Sequence, residues 1–110
     1  MRNGTSRAVR AVAILAALMI TTIVLVRADP KSIPQTAMKI AGIDGVQEVY
    51  SVSGEWDLVV IVRVPEYEHI ARVVTEEFPK VGGIERTQTL TAFRAYSSKD
   101  VEQAWDIGGA

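Results

Sequence analysis

The sequence predicts an α+β domain of the ferredoxin-like type, in which strands and helices follow the order βαββαβ. Three observations support this fold: four short runs rich in apolar and β-branched residues, two stretches with helical spacing of apolar residues, and Gly, Pro or Asp signals between them. A chain of 110 residues has room for one such domain. We place the domain at residues 19–96, between an N-terminal extension (1–18) and a C-terminal tail (97–110).

The segment from Arg7 to Pro30 resembles an export signal, because basic residues precede an uncharged apolar run. That run is shorter than the roughly 20 residues that a membrane-spanning helix needs. Its alanine-rich first half favours a helix, whereas Ile20–Ala28 favours a strand. Because the fold lacks one strand without Ile20–Ala28, we assign this stretch to the domain and expect no signal or anchor. Residues 1–18 are then a disordered basic extension, a helical appendage or the product of an upstream start codon.

The first helix is predicted after the turn signal Asp29-Pro30. It begins near Ser32, because Pro34 is tolerated only in the first turn of a helix. Gly42 is well placed as its C-terminal cap. The apolar face of this helix is predicted to consist of Ile33, Ala37, Ile40 and Ala41.

The middle of the chain predicts two strands and a second helix. The strands lie at Val46–Ser53 and Leu58–Val64, joined by the tight connection Gly54–Asp57. Pro65 ends the second of these strands, and the helix spans about Glu66 to Phe78. Its predicted apolar face consists of Tyr67, Ile70, Val74 and Phe78.

The C-terminal part predicts a long final strand at Glu85–Tyr96. Ser97 and Asp100 then have the spacing of a capping box. A short tail helix is therefore predicted, with one side formed by Val101, Ala104 and Trp105.

The predicted sheet needs a cover on both faces. Leu58–Val64 is apolar on both sides, as is the second half of Ile20–Ala28, and strands of this kind are usually buried on both faces. Both helices of a ferredoxin-like domain pack on one face, so the other face would expose a large apolar patch. We therefore predict a homodimer or a multiple of it, with two sheets packed face to face as a dimeric α/β barrel. The alternative is a monomer whose tail helix covers the sheet.

Charge and composition exclude several functions. The net charge is −1, but three arginines and no acid lie in residues 1–18, which leaves −4 for the remainder of the chain. A domain that binds nucleic acid needs a basic face, so we expect no direct nucleic-acid contact. The chain has no cysteine, which excludes disulfides and thiolate metal sites and allows a reducing compartment.

No residue pattern supports catalysis. The single histidine, His69, lies among charged residues of the second helix and predicts solvated surface rather than a metal ligand. Glu76 and Glu77 are adjacent on that helix, so they point about 100° apart and do not share a substrate easily. We expect no catalytic residue, no metal site and no cofactor, because phosphate-loop and nucleophile motifs are also missing from the sequence.

The hairpin Ser53–Val60 carries the chemistry that stands out. Gly54 can adopt a positive φ in a tight connection, Trp56 offers a flat wall, and Asp57 supplies a carboxylate beside exposed turn amides. Such a group can hold the ammonium of a free amino acid while the amides receive its carboxylate. The alternative is an ordinary hairpin in which Asp57 caps its own turn.

Residues 19–96 resemble the effector-binding (RAM) domain of the Lrp/AsnC family of transcription regulators. The resemblance rests on a Gly45-Val46 turn, the Gly-x-aromatic-Asp hairpin and a Thr-x-Thr final strand. It implies a sheet-to-sheet dimer, higher oligomers, and an amino acid or related effector bound between subunits near the hairpin. The ligand-binding residues that it implies are Gly54, Glu55, Trp56, Asp57, Leu58, Thr87 and Thr89.

Typical members of that family carry an N-terminal helix-turn-helix domain of some fifty residues, whereas at most 18 residues precede the predicted domain here. The chain thus resembles the stand-alone form, which implies a cytoplasmic amino-acid sensor or a partner of full-length Lrp/AsnC-type regulators. Two other classes stay open. One is a dimeric α/β-barrel enzyme, such as a small monooxygenase or a heme-handling protein; the other is a membrane-tethered interaction module.

Overall fold

The computed structural model describes residues 7–11, 18–96 and 98, and it confirms the βαββαβ order of a ferredoxin-like domain. β1 and β3 begin and end at the residues that the sequence predicts. The residues on which the predicted tail helix depends lie outside the described ones. The elements are β1 (Ile20–Ala28), α1 (Ile33–Ala41), β2 (Val46–Ser51), β3 (Leu58–Val64), α2 (Tyr67–Arg72) and β4 (Ile84–Thr91).

The four strands form one antiparallel sheet in the order β2-β3-β1-β4. The central pair β1 and β3 is in register from Ile20 opposite Val64 to Val26 opposite Leu58. Successive side chains of a strand point to opposite faces of the sheet. The side chains of β1 and β3 on one of these faces pack under the helices. These side chains are at most 4% exposed and form most of the core: Val24, Val26, Ala28, Leu58, Val60, Val62 and Val64.

The opposite face of the sheet, which we call the open face, is also apolar. Ile23 lies opposite both Ile61 and Leu90, and Val59 lies opposite both Leu25 and Tyr50. None of these side chains belongs to the buried core cluster, and Tyr50 and Leu90 are 49% and 41% exposed. Within the described residues, the two-sided apolar character of β1 and β3 thus leaves one apolar face covered and the other uncovered.

The first helical segment begins with a 3₁₀ turn, Pro30–Ser32, and continues as α1. The Asp29 carboxylate caps this turn, accepting a hydrogen bond from the Lys31 N–H at 3.0 Å. Gly42 is the C-terminal cap, as predicted. The predicted helix face was only partly right, because Ala41 is exposed while the buried residues are Thr36 and Ile40, with Ile33 and Ala37 half-buried.

Thr36 is buried because its hydroxyl has a partner. It donates to the Gly82 carbonyl at 3.2 Å and lies 3.5 Å from the Ser32 hydroxyl. Gly83 has a φ of 97°, and a Cβ there would meet the Thr36 hydroxyl at 2.3 Å. The loop before β4 therefore needs glycine for both its backbone conformation and its close approach to α1.

The second helix is shorter and less regular than predicted. The α-helical part ends at Arg72, and a π-helical turn (Val73–Glu77) and a 3₁₀ turn (Phe78–Lys80) follow. Because the π turn inserts one extra residue, Val73 and Phe78, five positions apart, both reach the core. Tyr67, which the sequence assigned to the apolar face, is 63% exposed.

Two strands end earlier in the structure than the sequence predicts. β2 ends at Ser51 instead of Ser53, where the chain turns into the connection to β3. β4 ends at Thr91 instead of Tyr96, because its partner β1 begins at Ile20. The last bond of the pair runs from the Ala92 N–H to the Thr21 carbonyl at 3.0 Å. Beyond that point the chain has no neighbouring strand to pair with in the described part.

The N-terminal extension is described only in part. Residues 7–11 are helical. None of the helices in the described part of the chain has the length and apolar character that a membrane crossing requires. The boundary at residue 19 stays a prediction.

Thr22 is the exception in the core, because its hydroxyl is buried with no hydrogen-bond partner among the described residues. Replacing Thr22 with valine, which has nearly the same shape, removes this unsatisfied group. We expect Thr22→Val to raise the free energy of unfolding by about 1–2 kcal/mol in denaturant titrations. Thr36→Val is the matched control and should lower it by about 1 kcal/mol, because that hydroxyl is bonded. Equal effects of both substitutions would contradict this account.

Candidate functional site

The connection between β2 and β3, residues 52–57, contains the predicted tight connection Gly54–Asp57. It is closed by a hydrogen bond from the Val52 N–H to the Asp57 carbonyl at 3.0 Å. Gly54 has a φ of 108°, which confirms the predicted positive φ. A Cβ at Gly54 would meet no atom within 4 Å, so the glycine serves the backbone conformation and the tip of the hairpin is open.

Asp57 fastens the hairpin to β1. Its N–H donates to the Val26 carbonyl at 2.9 Å, and its Oδ2 accepts from the Ala28 N–H at 2.8 Å. The carboxylate therefore braces the neighbouring strand and does not cap its own turn through a side-chain bond. Within the described residues no protein donor is bonded to Oδ1, so one oxygen is left for a ligand. The role of Asp57 in ligand binding stays a prediction.

Glu55 and Arg27 form a second link between the hairpin and β1. The Arg27 Nη2 donates to the Glu55 carbonyl at 2.7 Å and lies 4.0 Å from its Oε1. Both side chains are exposed to solvent, so the ion pair itself contributes little to stability. The bond to the carbonyl fixes the position of the hairpin backbone.

A cationic side chain that the sequence analysis did not identify packs on the Trp56 ring. The Arg86 guanidinium lies over the Trp56 ring, 5.5 Å from its centroid, within the range of a cation–π interaction. Arg86 also lies directly opposite Arg27 across β1 and β4. No local motif predicts this arrangement, because only the register of two strands distant in sequence brings the two arginines together.

The remaining predicted ligand residues are not gathered beside Asp57. Leu58 is fully buried in the core, which leaves it only its backbone for ligand contact. Thr87 lies opposite Val26 on β4, so β1 separates it from Leu58. It lines a cleft of about 200 Å³ whose other walls include residues of the 3₁₀ turn after α2. Thr89, two residues further along β4, is exposed.

The residues weighed for catalysis are dispersed. Within the described residues, no three His, Asp or Glu side chains lie close enough to hold a metal ion. Glu77 pairs with Lys80 at 3.7 Å, and Glu76 is exposed. His69 is half-buried and lines a cleft at the far end of the sheet.

The ferredoxin-like fold is accompanied by a sequence match to a ligand binding domain and to HTH-type transcriptional regulators. The model of the Lrp/AsnC ligand binding domain matches residues 21–101. The chain therefore belongs to the Lrp/AsnC family, and the predicted resemblance is confirmed.

Individual relatives agree with this assignment. An uncharacterised HTH-type transcriptional regulator of Pyrococcus horikoshii is 40% identical over 76 residues, which cover 66% of this chain and 51% of the relative. The HTH-type transcriptional regulator LysM of Saccharolobus solfataricus is 33% identical over 78 residues, covering 70% and 54%. The chain thus spans about half the length of the curated relatives it matches.

A crystal structure from Thermus thermophilus superposes with a TM-score of 0.68 at 44% identity. The match covers 72% of this chain and 99% of the Thermus chain, so that chain holds little beyond this domain. Escherichia coli AsnC superposes with a TM-score of 0.66 at 18% identity, covering 71% and 53%, and shows the same fold.

The bond between Asp57 and Ala28 makes a testable contribution to stability. We expect Asp57→Ala to lower the free energy of unfolding by about 1.5–3 kcal/mol, because a part-buried N–H loses a charged acceptor. Asp57→Asn keeps an acceptor oxygen and should cost less. Glu55→Ala, which removes only an exposed ion pair, is the control and should cost at most about 1 kcal/mol. If Asp57→Ala unfolds at the same denaturant concentration as the wild-type protein, the hairpin is not braced in this way.

Proposed function

We propose that this chain is a non-enzymatic amino-acid sensor of the Lrp/AsnC family that works as a homodimer or a larger homo-oligomer. The observation that carries the proposal is the hairpin, where two adjacent residues are linked to groups of opposite charge. Asp57 has one carboxylate oxygen without a donor among the described residues, and the adjacent Trp56 lies under the Arg86 guanidinium. A free amino acid carries the complementary pair of charges.

The chemistry of such a ligand matches these groups one by one. The Asp57 carboxylate accepts hydrogen bonds from the ammonium, and the guanidinium of Arg86 or the turn amides donate to the carboxylate. Trp56 offers an apolar wall for the ligand side chain. Because no described atom lies within 4 Å of the Cβ position at Gly54, the described part of one copy leaves this site open on one side. A second copy would close it.

The apolar residues of the open face are the argument for the proposed oligomer. Its central side chains, Ile23, Leu25, Val59 and Ile61, form an apolar patch that spans β1 and β3. Contiguous patches of this kind are rare on monomers and mark interfaces. A two-fold axis through the patch lets the same surface cover itself. The hairpin lies at the end of this face, so the ligand site and the subunit junction would be adjacent.

Relatives support the regulatory role. The Pyrococcus and Saccharolobus relatives are HTH-type transcriptional regulators about twice as long as the matched segment. A transcriptional regulator of Neisseria meningitidis with the same fold has been solved as a complex with L-Met. We propose that the chain binds an amino acid in the cytoplasm and acts on transcription by assembling with full-length regulators of its family.

The open face and the core face of β3 should respond differently to a buried charge. Ile61→Asp places a carboxylate on the open face and should give a folded monomer, since it opposes only sheet-to-sheet packing. Val60→Asp places the same group under the helices and should unfold the domain, because Val60 is 0% exposed. Light scattering with circular dichroism measures both outcomes. A folded wild-type monomer at micromolar concentration, or an Ile61→Asp dimer, would contradict the proposed interface.

Ligand binding is tested with a thermal-shift screen of the free amino acids, followed by calorimetry on each hit. We expect Kd values of micromolar to millimolar order, because a ligand with few atoms gains little free energy. Asp57→Asn should weaken binding by about 1–3 kcal/mol, since it removes the charge while keeping an oxygen for Ala28. Lys39→Gln, on α1 away from the hairpin, is the control and should leave the affinity unchanged.

Two results would count against this site. An amino acid that binds with equal affinity to the wild-type protein and to Asp57→Asn places the site elsewhere. If none of the amino acids binds, the chain is an assembly partner of regulators and not a sensor.

A further inference from the structure

A second charged cleft lies at the end of the sheet opposite to the hairpin, one length of β3 away. It has a volume of about 340 Å³ and forms where β1 begins and β3 ends. Its charged lining consists of Asp44 from the α1–β2 turn, Arg63 from the end of β3, and His69 and Arg72 from α2. None of these residues belongs to the hairpin site.

The two arginines of this cleft lack carboxylate partners. Within the described residues, no carboxylate oxygen lies within 4.0 Å of either Arg63 or Arg72, although Asp44 lines the same cleft. Two guanidinium groups and one carboxylate leave the cleft positive, whereas the chain after residue 18 has a net charge of −4. This local excess of positive charge is therefore not accounted for by ion pairs that stabilise the fold.

Backbone contacts join two of the segments that line the cleft. The Arg63 N–H donates to the Gly45 carbonyl at 2.9 Å, which joins the end of β3 to the turn that carries Asp44. Gly45 has a φ of 96°, and a Cβ there would lie 2.8 Å from a methyl of Val64. Only glycine allows this close approach, so the turn is packed tightly against the strand.

We propose that this cleft binds a small molecule through an oxyanion, either a phosphate or a carboxylate. The Arg72 guanidinium presents its donors in a planar fork that matches both groups. Arg63 alternates with the buried residues of β3 and so projects on the side of the open face, where it adds positive charge at the same end of the sheet. His69 adds a ring N–H donor. The volume falls within the range of small-molecule sites. The Asp44 carboxylate repels a bound anion and therefore lowers the affinity of the cleft for it. The site does not depend on the proposed function of the hairpin.

The test is a titration of the full chain with inorganic phosphate and, separately, with acetate. Amide chemical shifts are followed by NMR at constant ionic strength. We expect saturable shifts at Asp44, Gly45 and His69, with a Kd of millimolar order or below; the anion that binds more tightly identifies the preferred group. Arg72→Gln should weaken binding at least five-fold. Lys31→Gln removes the same charge from an exposed turn at the other end of the sheet and should have no effect.

We expect Asp44→Asn to change the affinity for the anion in the opposite direction to Arg72→Gln. Removing the only acid among the described residues that line the cleft should strengthen oxyanion binding several-fold, an effect that damage to the fold cannot imitate. Asp57→Asn should leave it unchanged, which separates this cleft from the hairpin site. Shifts that grow linearly with anion concentration, or an affinity that Asp44→Asn fails to raise, would overturn the proposal.

Discussion

The antiparallel pair of β1 and β3 is the constraint on which the rest of the structure depends. The central residues of both strands are apolar on both faces of the sheet, and the register aligns the side chains of each face. One face is buried to at most 4% exposure under α1 and the segments after β3. Burying the other face is worth roughly 25 cal/mol for each Å² removed from water, which favours association of two copies. The fold and the proposed assembly follow from the same two strands.

The position of the hairpin is a consequence of the same pairing. Because Val26 is the last β1 residue paired with β3, its carbonyl and the N–H of Ala28 are available to the connection that precedes β3. Asp57 bonds to both: its own N–H donates to the Val26 carbonyl, and its carboxylate accepts from the Ala28 N–H. The hairpin is thereby fixed at the end of the open face. A ligand held there would touch the proposed interface between copies, which would couple effector binding to assembly.

Much of this architecture could be predicted from the chain alone. β1 and β3 were predictable to the residue because runs dominated by β-branched residues are followed directly by Asp29 and Pro65. The positive φ of Gly54 followed from its place in a short connection. The end of β4 could not be predicted, because it depends on where its partner begins and not on its own composition.

The buried face of the second helix and the surroundings of the hairpin also could not be predicted from local sequence. The π-helical turn after Arg72 shifts the buried face by one residue, and no local pattern marked it. The Arg86–Trp56 contact and the bond from Ala28 to Asp57 join residues 30 and 29 positions apart. Contacts of this kind come from strand register, so a local motif identified the hairpin but not the groups that surround it.

The central claim is that the open face is buried against a second copy of the chain. The most direct test mixes ¹³C-labelled and unlabelled protein and records isotope-filtered NOEs, which detect only contacts between copies. The account predicts intermolecular NOEs among the methyl groups of Ile23, Leu25, Val59 and Ile61. A spectrum in which these methyls show only contacts within one copy would contradict it.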